Sequence, residues 1–343
     1  MMLIKRNDLV QSVKKCMAGT DSIDGFDVLI IKNGKIHSFN DFISIAVPFL
    51  QDIDCSVRAG DFLKILTKYT SEELDIKVSP TNNSLIIKSG KSKSTLSYIE
   101  NFTYSKITAL YSNPFDWKDI PVAFMEGLKR THISNNNSTL NGVFIDDDVM
   151  YSTDNLVMRM FQMDEKMGKV WIRNKSVQEM LRFPTITHYS STQDWIHFKT
   201  EDDVLISVRG LIVANYPIDK VTTVFLKYMK EETFPEGVFP EGMKGLLQRA
   251  EVFAETYYSR KVVKISFNPE GIVFNTQSSS GATEELCEVA NTWVDIPVLS
   301  TDIGRLIDSN LDTMSFSLVT WGDRFALKVM SDNYTELIIC TKE

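Results

Sequence analysis

The chain runs through one layout three times: a segment with an apolar helical stripe, a string of short β-type runs, then the same again. The clearest copy covers residues 243–289. Met243, Leu246, Leu247, Ala250, Phe253, Ala254 and Tyr257 recur at the spacing of one helix face, which predicts a helix over 243–257. Strand-type runs follow at 262–267, 272–276 and 286–289. Similar modules in series can close into a ring, and a ring can act without a catalytic site.

In the first third, residues 3–6 read as a strand. Asn7 reads as the N-cap of a helix whose stripe is Leu9, Val10, Val13 and Met17. Strands are predicted at 27–32 and 43–48, a turn at Asn33-Gly34, a helix over 59–69, and strands at 74–78, 84–88 and 94–98. The mixed stretch 101–118 reads as a connection. The second third gives a helix over 121–132, strands at 142–145, 149–153, 157–162 and 169–172, and a short helix over 176–183 stopped by Pro184. Further strands follow at 195–199, 204–208 and 211–213. Residues 230–240, with three breakers, read as the second connection. The last third adds a helix over 301–310 and strands at 313–318, 324–329 and 336–340. Six helices result, two per third, in domains bounded at 1–115, 116–232 and 233–343.

A chain of 343 residues calls for more than one core. Its 43% hydrophobic and 24% charged content is that of an ordinary globular protein. No apolar run reaches the ~18 residues of a membrane span, so no membrane partner is expected. The N-terminus lacks a signal-peptide core, and the expected location is the cytoplasm. Cys16, Cys55, Cys287 and Cys340 have no metal-ligand spacing. No metal, cofactor or disulfide framework is expected.

The net charge of −8 argues against a polyanion partner until its distribution is followed. The windows 7–18, 58–70, 119–132, 173–183, 241–257 and 301–310 together carry +3, leaving −11 for everything else. A helix-lined surface facing a polyanion, within an acidic exterior, has this distribution. Solvated helix faces are also rich in Lys and Arg, and the last third does not follow the trend.

Several segments, in order, resemble the bacterial-type DNA sliding clamp, the β subunit of replicative polymerases. Residues 58–69 followed by Ser71-Glu72-Glu73-Leu74-Asp75-Ile76 are similar to the second helix and next strand of its first domain. Residues 84–97 resemble the hairpin that ends that domain. Tyr151-Ser152-Thr153-Asp154 followed by Arg159 resembles the family's Ala-Thr-Asp-Gly-His-Arg-Leu strand and turn. Residues 211–217 resemble its Leu-Ile-x-Gly-x-Phe-Pro segment. Arg249-Ala250 through Ala254, with Gly281-Ala282-Thr283-Glu284-Glu285-Leu286, resembles the third domain's first helix and acidic strand. Residues 334–341 resemble the closing strand. The ordered set covers nearly the whole chain, and its divergence suggests a phage-encoded member, in the host cytoplasm.

The resemblance implies an α+β DNA-clamp fold: three similar domains, each with two helices packed on antiparallel sheets, forming a ring as a head-to-tail homodimer. It implies a processivity factor, not an enzyme, that encircles double-stranded DNA without sequence specificity and tethers a DNA polymerase after a clamp loader places it. The implied DNA-facing residues are Lys14, Lys15, Arg58, Lys64, Lys68, Lys129, Arg130, Arg173, Lys175 and Arg182. The implied partner-peptide groove is Thr153, Asn155, Leu156, Val157, Val224, Ile339 and Cys340. The implied subunit interface is Val252 and Phe253 against Leu96. The sequence departs from the family where Asn155-Leu156 replaces Gly-His and Ile339-Cys340-Thr341 replaces Met-Pro-Met, so the groove should stay apolar with an altered peptide preference.

Rival readings find less. Gly90-Lys91-Ser92 imitates the end of a phosphate loop, but Leu85 stands where the first glycine is needed. The four histidines show no ligand spacing, and Asp146-Asp147-Asp148 reads as a polar turn. A β-rich structural or scaffold protein of a virus would share the composition, but it has no need of paired amphipathic helices in each third.

Overall fold

The computed structural model describes every residue except 1, 2, 24, 50–52, 100–103, 113, 135–138, 231–233, 235, 258, 259, 290–295, 322, 323 and 343, and only the backbone at 80, 257 and 321. Two compact units divide it. The first holds residues 1–120 and 178–211, the second 121–177 and 212–343.

In chain order the first elements are β1 (Leu3–Lys5), α1 (Arg6–Cys16), β2 (Val28–Lys32), β3 (Lys35–Phe39), β4 (Ile43–Pro48) and β5 (Cys55–Arg58). Then come α2 (Ala59–Lys68), β6 (Glu73–Ser79), β7 (Ser84–Ser89), β8 (Ser92–Ser97), α3 (Tyr104–Leu110) and β9 (Lys118–Asp119). The middle of the chain gives α4 (Phe124–Thr131), β10 (Val143–Asp146), β11 (Val149–Thr153), β12 (Val157–Gln162), β13 (Val170–Ile172) and α5 (Asn174–Met180). It continues with β14 (Ile186–Ser191), β15 (Trp195–Thr200), β16 (Leu205–Arg209) and α6 (Ile218–Lys230). The last part holds β17 (Gly237–Val238), α7 (Met243–Glu251), β18 (Thr256–Tyr257), β19 (Arg260–Asn268), β20 (Gly271–Ser278) and β21 (Gly281–Glu288). It closes with β22 (Leu299–Asp302), α8 (Ile303–Asp308), β23 (Ser315–Trp321), β24 (Arg324–Ser331) and β25 (Tyr334–Lys342).

The first unit holds two sheets, ordered β1-β6-β7-β8 and β5-β2-β3-β4-β16-β15-β14-β9. In the second sheet β4 pairs antiparallel with β16, Ile45 opposite Ile206, so strands from two thirds of the sequence share one sheet. Asn33 and Gly34 both have positive φ, 52° and 69°, the two-residue turn whose twist suits the β2–β3 hairpin. Helix α1 buries Leu9, Val10, Val13 and Cys16, and α2 buries Ala59, Phe62 and Leu66. The two helices pack on each other, and α1 also packs on β3 and β4.

The second unit is one branched sheet with the main path β13-β10-β11-β12-β25-β22-β19-β20-β21, from which β24, β23 and β17 branch at β25. Helix α7 buries Met243, Leu246, Leu247 and Ala250, and packs on α8, which buries Ile303 and Leu306. Helix α4 comes so close to the sheet that a Cβ on Gly127 would stand 2.8 Å from the Phe161 ring.

The structure corrects several sequence expectations. The 243–257 helix ends at Glu251, with Val252 as its C-cap, and β18 follows. Phe253, half-buried, lies against β21, where a Cβ on Gly281 would stand 2.6 Å from its ring. An apolar stripe records a buried face, and a turn packed on that face extends it beyond the helix. Asn7 lies in the first turn of α1, whose N-cap is Lys5 with no side-chain bond. Residues 211–213 form no strand; residue 213 already opens a 3-10 turn, Val213–Asn215. The 301–310 helix is strand β22 up to Asp302 and helix only from Ile303.

The first expected connection contains α3. Its Ile107 packs on Val28, Ile30 and Phe39, with Tyr104, Leu110, Tyr111 and Trp195 around them. Helix α6 immediately precedes the second connection and buries Val221, Phe225 and Tyr228. The described residues therefore hold eight α-helices rather than six. Residues 101–103 and 113, and 231–233 and 235, of the two connections lie outside the described residues, as does the Tyr257 side chain.

Candidate peptide groove, basic helix faces and open sheet edges

The candidate groove is built on the β11–β12 turn of the second unit. Thr153 ends β11 and is buried, and Asn155 takes a left-handed φ of 73° that asparagine tolerates. Leu156 and the buried Val157 then enter β12, which pairs with β25, Val157 opposite Ile338. The Ile339 N–H donates to the Leu156 carbonyl at 2.7 Å, bringing the two residues together. Leu156 and Ile339 line a depression of about 1610 Å³ with Val262 and Val298. Apart from Ala282, its remaining wall is polar, including Arg260, Lys264, Asn275, Ser300 and Asp302. Cys340 is fully buried beside Ile339, and burial pushes its thiol up to about 12, so it is inert. Asn155 is exposed and Val224 half-buried on α6; neither lines this depression.

Two ion pairs that no local sequence pattern announces cross the same seam. Asp154 is paired with Arg305 of α8. Arg159 lies opposite Glu336 in the β12–β25 ladder, and its Nε donates to Oε1 at 2.8 Å. Ser309 and Tyr334 hydroxyls donate to the same carboxylate, each at 2.8 Å, and the Arg159 guanidinium also reaches the His132 carbonyl. Burial works against the Arg159 charge, but Glu336 overrides it and holds the guanidinium above its ordinary range. Tyr334 is pushed well above the phenol range by burial and by the adjacent carboxylate. The Arg159 motif was legible in the sequence; its partner, 177 residues away, carries no local signal.

The ten basic candidates fall into both units. In the first, Lys14 on α1 and Lys64 and Lys68 on α2 are exposed and make no ion pair among the described residues. Lys15 is paired with Asp202, whose carboxyl feels burial upward but is lowered on balance by hydrogen bonds from Lys15 and Thr200. Arg58 stands 3.7 Å from Asp27, and Arg182 pairs with Glu179 at 2.8 Å. In the second unit, Lys129 is exposed on α4, while Arg130 reaches Glu126 at 3.4 Å and lies 5.6 Å from the Tyr334 ring centre. Arg173 precedes α5 and is half-buried; Lys175 is exposed on it.

Among the sheet ends are two strands whose outer edge is unpaired among the described residues: β8 in the first unit and β21 in the second. Leu96 is half-buried on β8. Val252, at the end of α7, is 71% exposed, and Phe253 is half-buried against β21. Arg249 and Glu285 form a two-pronged pair at 3.0 and 2.7 Å, which raises the guanidinium and lowers the carboxyl. The β8 edge shows Lys91 and Lys93 to solvent, and the β21 edge Glu284 and Glu288.

The rival motifs resolve into structure. Gly90-Lys91 is the tight turn between β7 and β8, with Ser89 opposite Ser92. Asp146 and Asp147 are paired with Lys169 and Lys166 at 3.0 and 3.8 Å. His37 and His197 are buried, and burial lowers each to about 4. Among the described residues no His, Cys, Asp and Glu cluster could hold a metal, and no helix is long and apolar enough to cross a membrane.

No family model matches the sequence, and no curated protein matches it. Its fold matches solved structures along the full chain. The DNA polymerase sliding clamp of Pseudomonas aeruginosa is similar at a TM-score of 0.76 and 13% identity, covering 100% of this chain and 99% of that one. The sliding clamp of Bacillus subtilis matches at 0.76 and 18% identity, over 99% and 98%. The polymerase β subunit of Streptococcus pyogenes matches at 0.75 and 16%, over 99% of each. The chain therefore has the α+β sliding-clamp fold from end to end.

Proposed function

We propose that this protein is a DNA sliding clamp, a processivity factor that encircles duplex DNA and tethers a replicative polymerase without chemistry of its own. The observation that supports this best is the likeness to sliding clamps over the whole chain, at a TM-score of 0.76 despite 13% identity. In this reading the chain divides at 1–115, 116–232 and 233–343. Two copies join head to tail, Val252 and Phe253 of one meeting the β8 edge near Leu96 of the other. Helix faces carrying Lys14, Lys64, Lys68, Lys129 and Lys175 approach phosphates loosely, which permits sliding. Persistence comes from closure of the ring. The groove at Leu156 and Ile339 takes short peptides of the polymerase and clamp loader, an anchor-in-pocket contact. A phage genome and the host cytoplasm are the setting we infer for so divergent a chain.

Topology provides the test. The protein is loaded on nicked circular DNA with its clamp loader, washed in high salt, and the circle is then cut. A clamp stays on the circle in salt and leaves the linear ends. A conventional binder is lost to salt on either substrate, and that outcome, or a failure to load, overturns the proposal.

A further inference from the structure

The turn that presents Leu156 is held from outside β11 and β12, the two strands it joins. Asp154 Oδ1 accepts the N–H groups of Leu156 at 3.1 Å and Val157 at 2.9 Å, while Oδ2 is paired with Arg305 Nη2 from α8. The two side chains are only 3% and 11% exposed. Between Asp154 and Leu156 stands Asn155 in the left-handed conformation that asparagine tolerates. Arg305 is itself well placed. Asp302 caps α8 by accepting the Gly304 N–H at 3.0 Å, and Ile303 and Leu306 on either side of Arg305 are buried.

The neighbouring apolar residue, Ile339, is held from the same segment. The Thr301 hydroxyl donates to the Ile339 carbonyl at 2.9 Å. Residues 299–308 thus hold both apolar residues, Ile339 directly and Leu156 through Asp154. We propose that Arg305 is a positioning residue for the groove: through Asp154 it sets Leu156 in advance for a short apolar peptide. This rests on the groove reading above. Setting the wall beforehand removes an ordering cost from binding, so its loss appears as affinity.

The test uses the full-length protein and a fluorescein-labelled pentapeptide, Ser-Leu-Ala-Leu-Phe, followed by fluorescence anisotropy. Arg305→Met should weaken binding about tenfold, the loss expected when a preset site must be ordered on binding. Arg305→Lys, which keeps the charge, should recover most of that loss. Hydrogen exchange of the Leu156 and Val157 amides should quicken in R305M while the amides of Arg159 and Phe161 in mid-β12 stay protected. A merely structural role would loosen both sets together. Asp154→Asn should cost about as much as R305M, and the double variant no more than either, because the two act as one unit. Should R305M fail to fold, R305K and D154N are read in the same assay. Full-strength binding in R305M, or in D154N where R305M does not fold, overturns the positioning role and leaves the groove standing. Absence of peptide binding by the unaltered protein overturns the groove reading, and this inference with it.

Discussion

Arg159 and Glu336 show what a single residue decides here. Both are buried, both are charged, and the Glu336 carboxylate takes three hydrogen bonds from Arg159, Ser309 and Tyr334. Removing one partner leaves the other as an uncompensated buried charge, a loss of about 3–5 kcal/mol. Arg159→Met should lower the stability measured by urea unfolding by that amount, whereas replacing both by apolar residues of similar volume should cost much less. Equal losses in the single and double variants would refute this account. Titration adds a second residue-scale prediction. His37 and His197 are held near 4 by burial, against about 6.5 in an unfolded chain. Between those values the unfolded state binds more protons, so stability is complete above about pH 6.5 and falls as pH drops toward 4. Each histidine contributes up to about 3 kcal/mol to that slope. The double variant His37→Gln, His197→Gln should flatten the pH dependence of the urea midpoint between pH 6.5 and 4, and an unchanged slope would count against it. The sequence shows all four histidines to lack ligand spacing, but only the packing around Tyr111 shows why two of them stay neutral.

At the scale of elements, α1, α2 and α4 were legible because each buries one face and the stripe falls at helical spacing. Helix α6 was not, although Val221, Phe225 and Tyr228 have that spacing. Its run Val221-Thr222-Thr223-Val224 is β-branched and reads against a helix, and tertiary packing overrides the propensity. Helix α3 is short and shows one fully buried side chain, Ile107, too little pattern to recognise without the sheet beneath it. The groove shares this limit. Its apolar anchors were named from a resemblance, but the polar wall and the ion pairs come from strands far apart in the chain. The helix faces carry an element-scale prediction. Lys14, Lys64 and Lys68 project from the packed pair α1 and α2. Changing all three to Ala should reduce the salt slope of binding to short linear duplex DNA by about 0.9 for each phosphate that is no longer neutralised, with no change in sequence preference. Fold and loading onto circles should survive, because closure does not depend on these lysines. An unaltered salt slope would remove these helices from the DNA-facing surface.

For the whole molecule the feature of most consequence is a pair of sheet-end strands, β8 in one unit and β21 in the other, each with an outer edge unpaired among the described residues. An open edge is a template for another chain unless it is blunted by charge or covered. The two edges differ in sign: Lys91 and Lys93 on the first, Glu284 and Glu288 on the second. Each edge therefore repels its own kind and suits the other; under the proposed clamp reading copies would pair head to tail here, and a head-to-tail contact that closes gives a ring. Val252, exposed beside the second edge, and Leu96 on the first supply the apolar part. Val252→Asp should yield a monomer by native mass spectrometry with an unchanged unfolding midpoint, since an exposed side chain contributes little to its own core. Lys91→Glu with Lys93→Glu should also separate the copies, now through like charges across the seam. Adding Glu284→Lys and Glu288→Lys to that variant should restore the dimer, and should do so best at low salt, where the pairs are least screened. Restoration separates a matched pair of edges from a general loss of stability. If the fourfold variant stays monomeric at low salt, the two edges do not meet, and the ring must close through another surface or not at all.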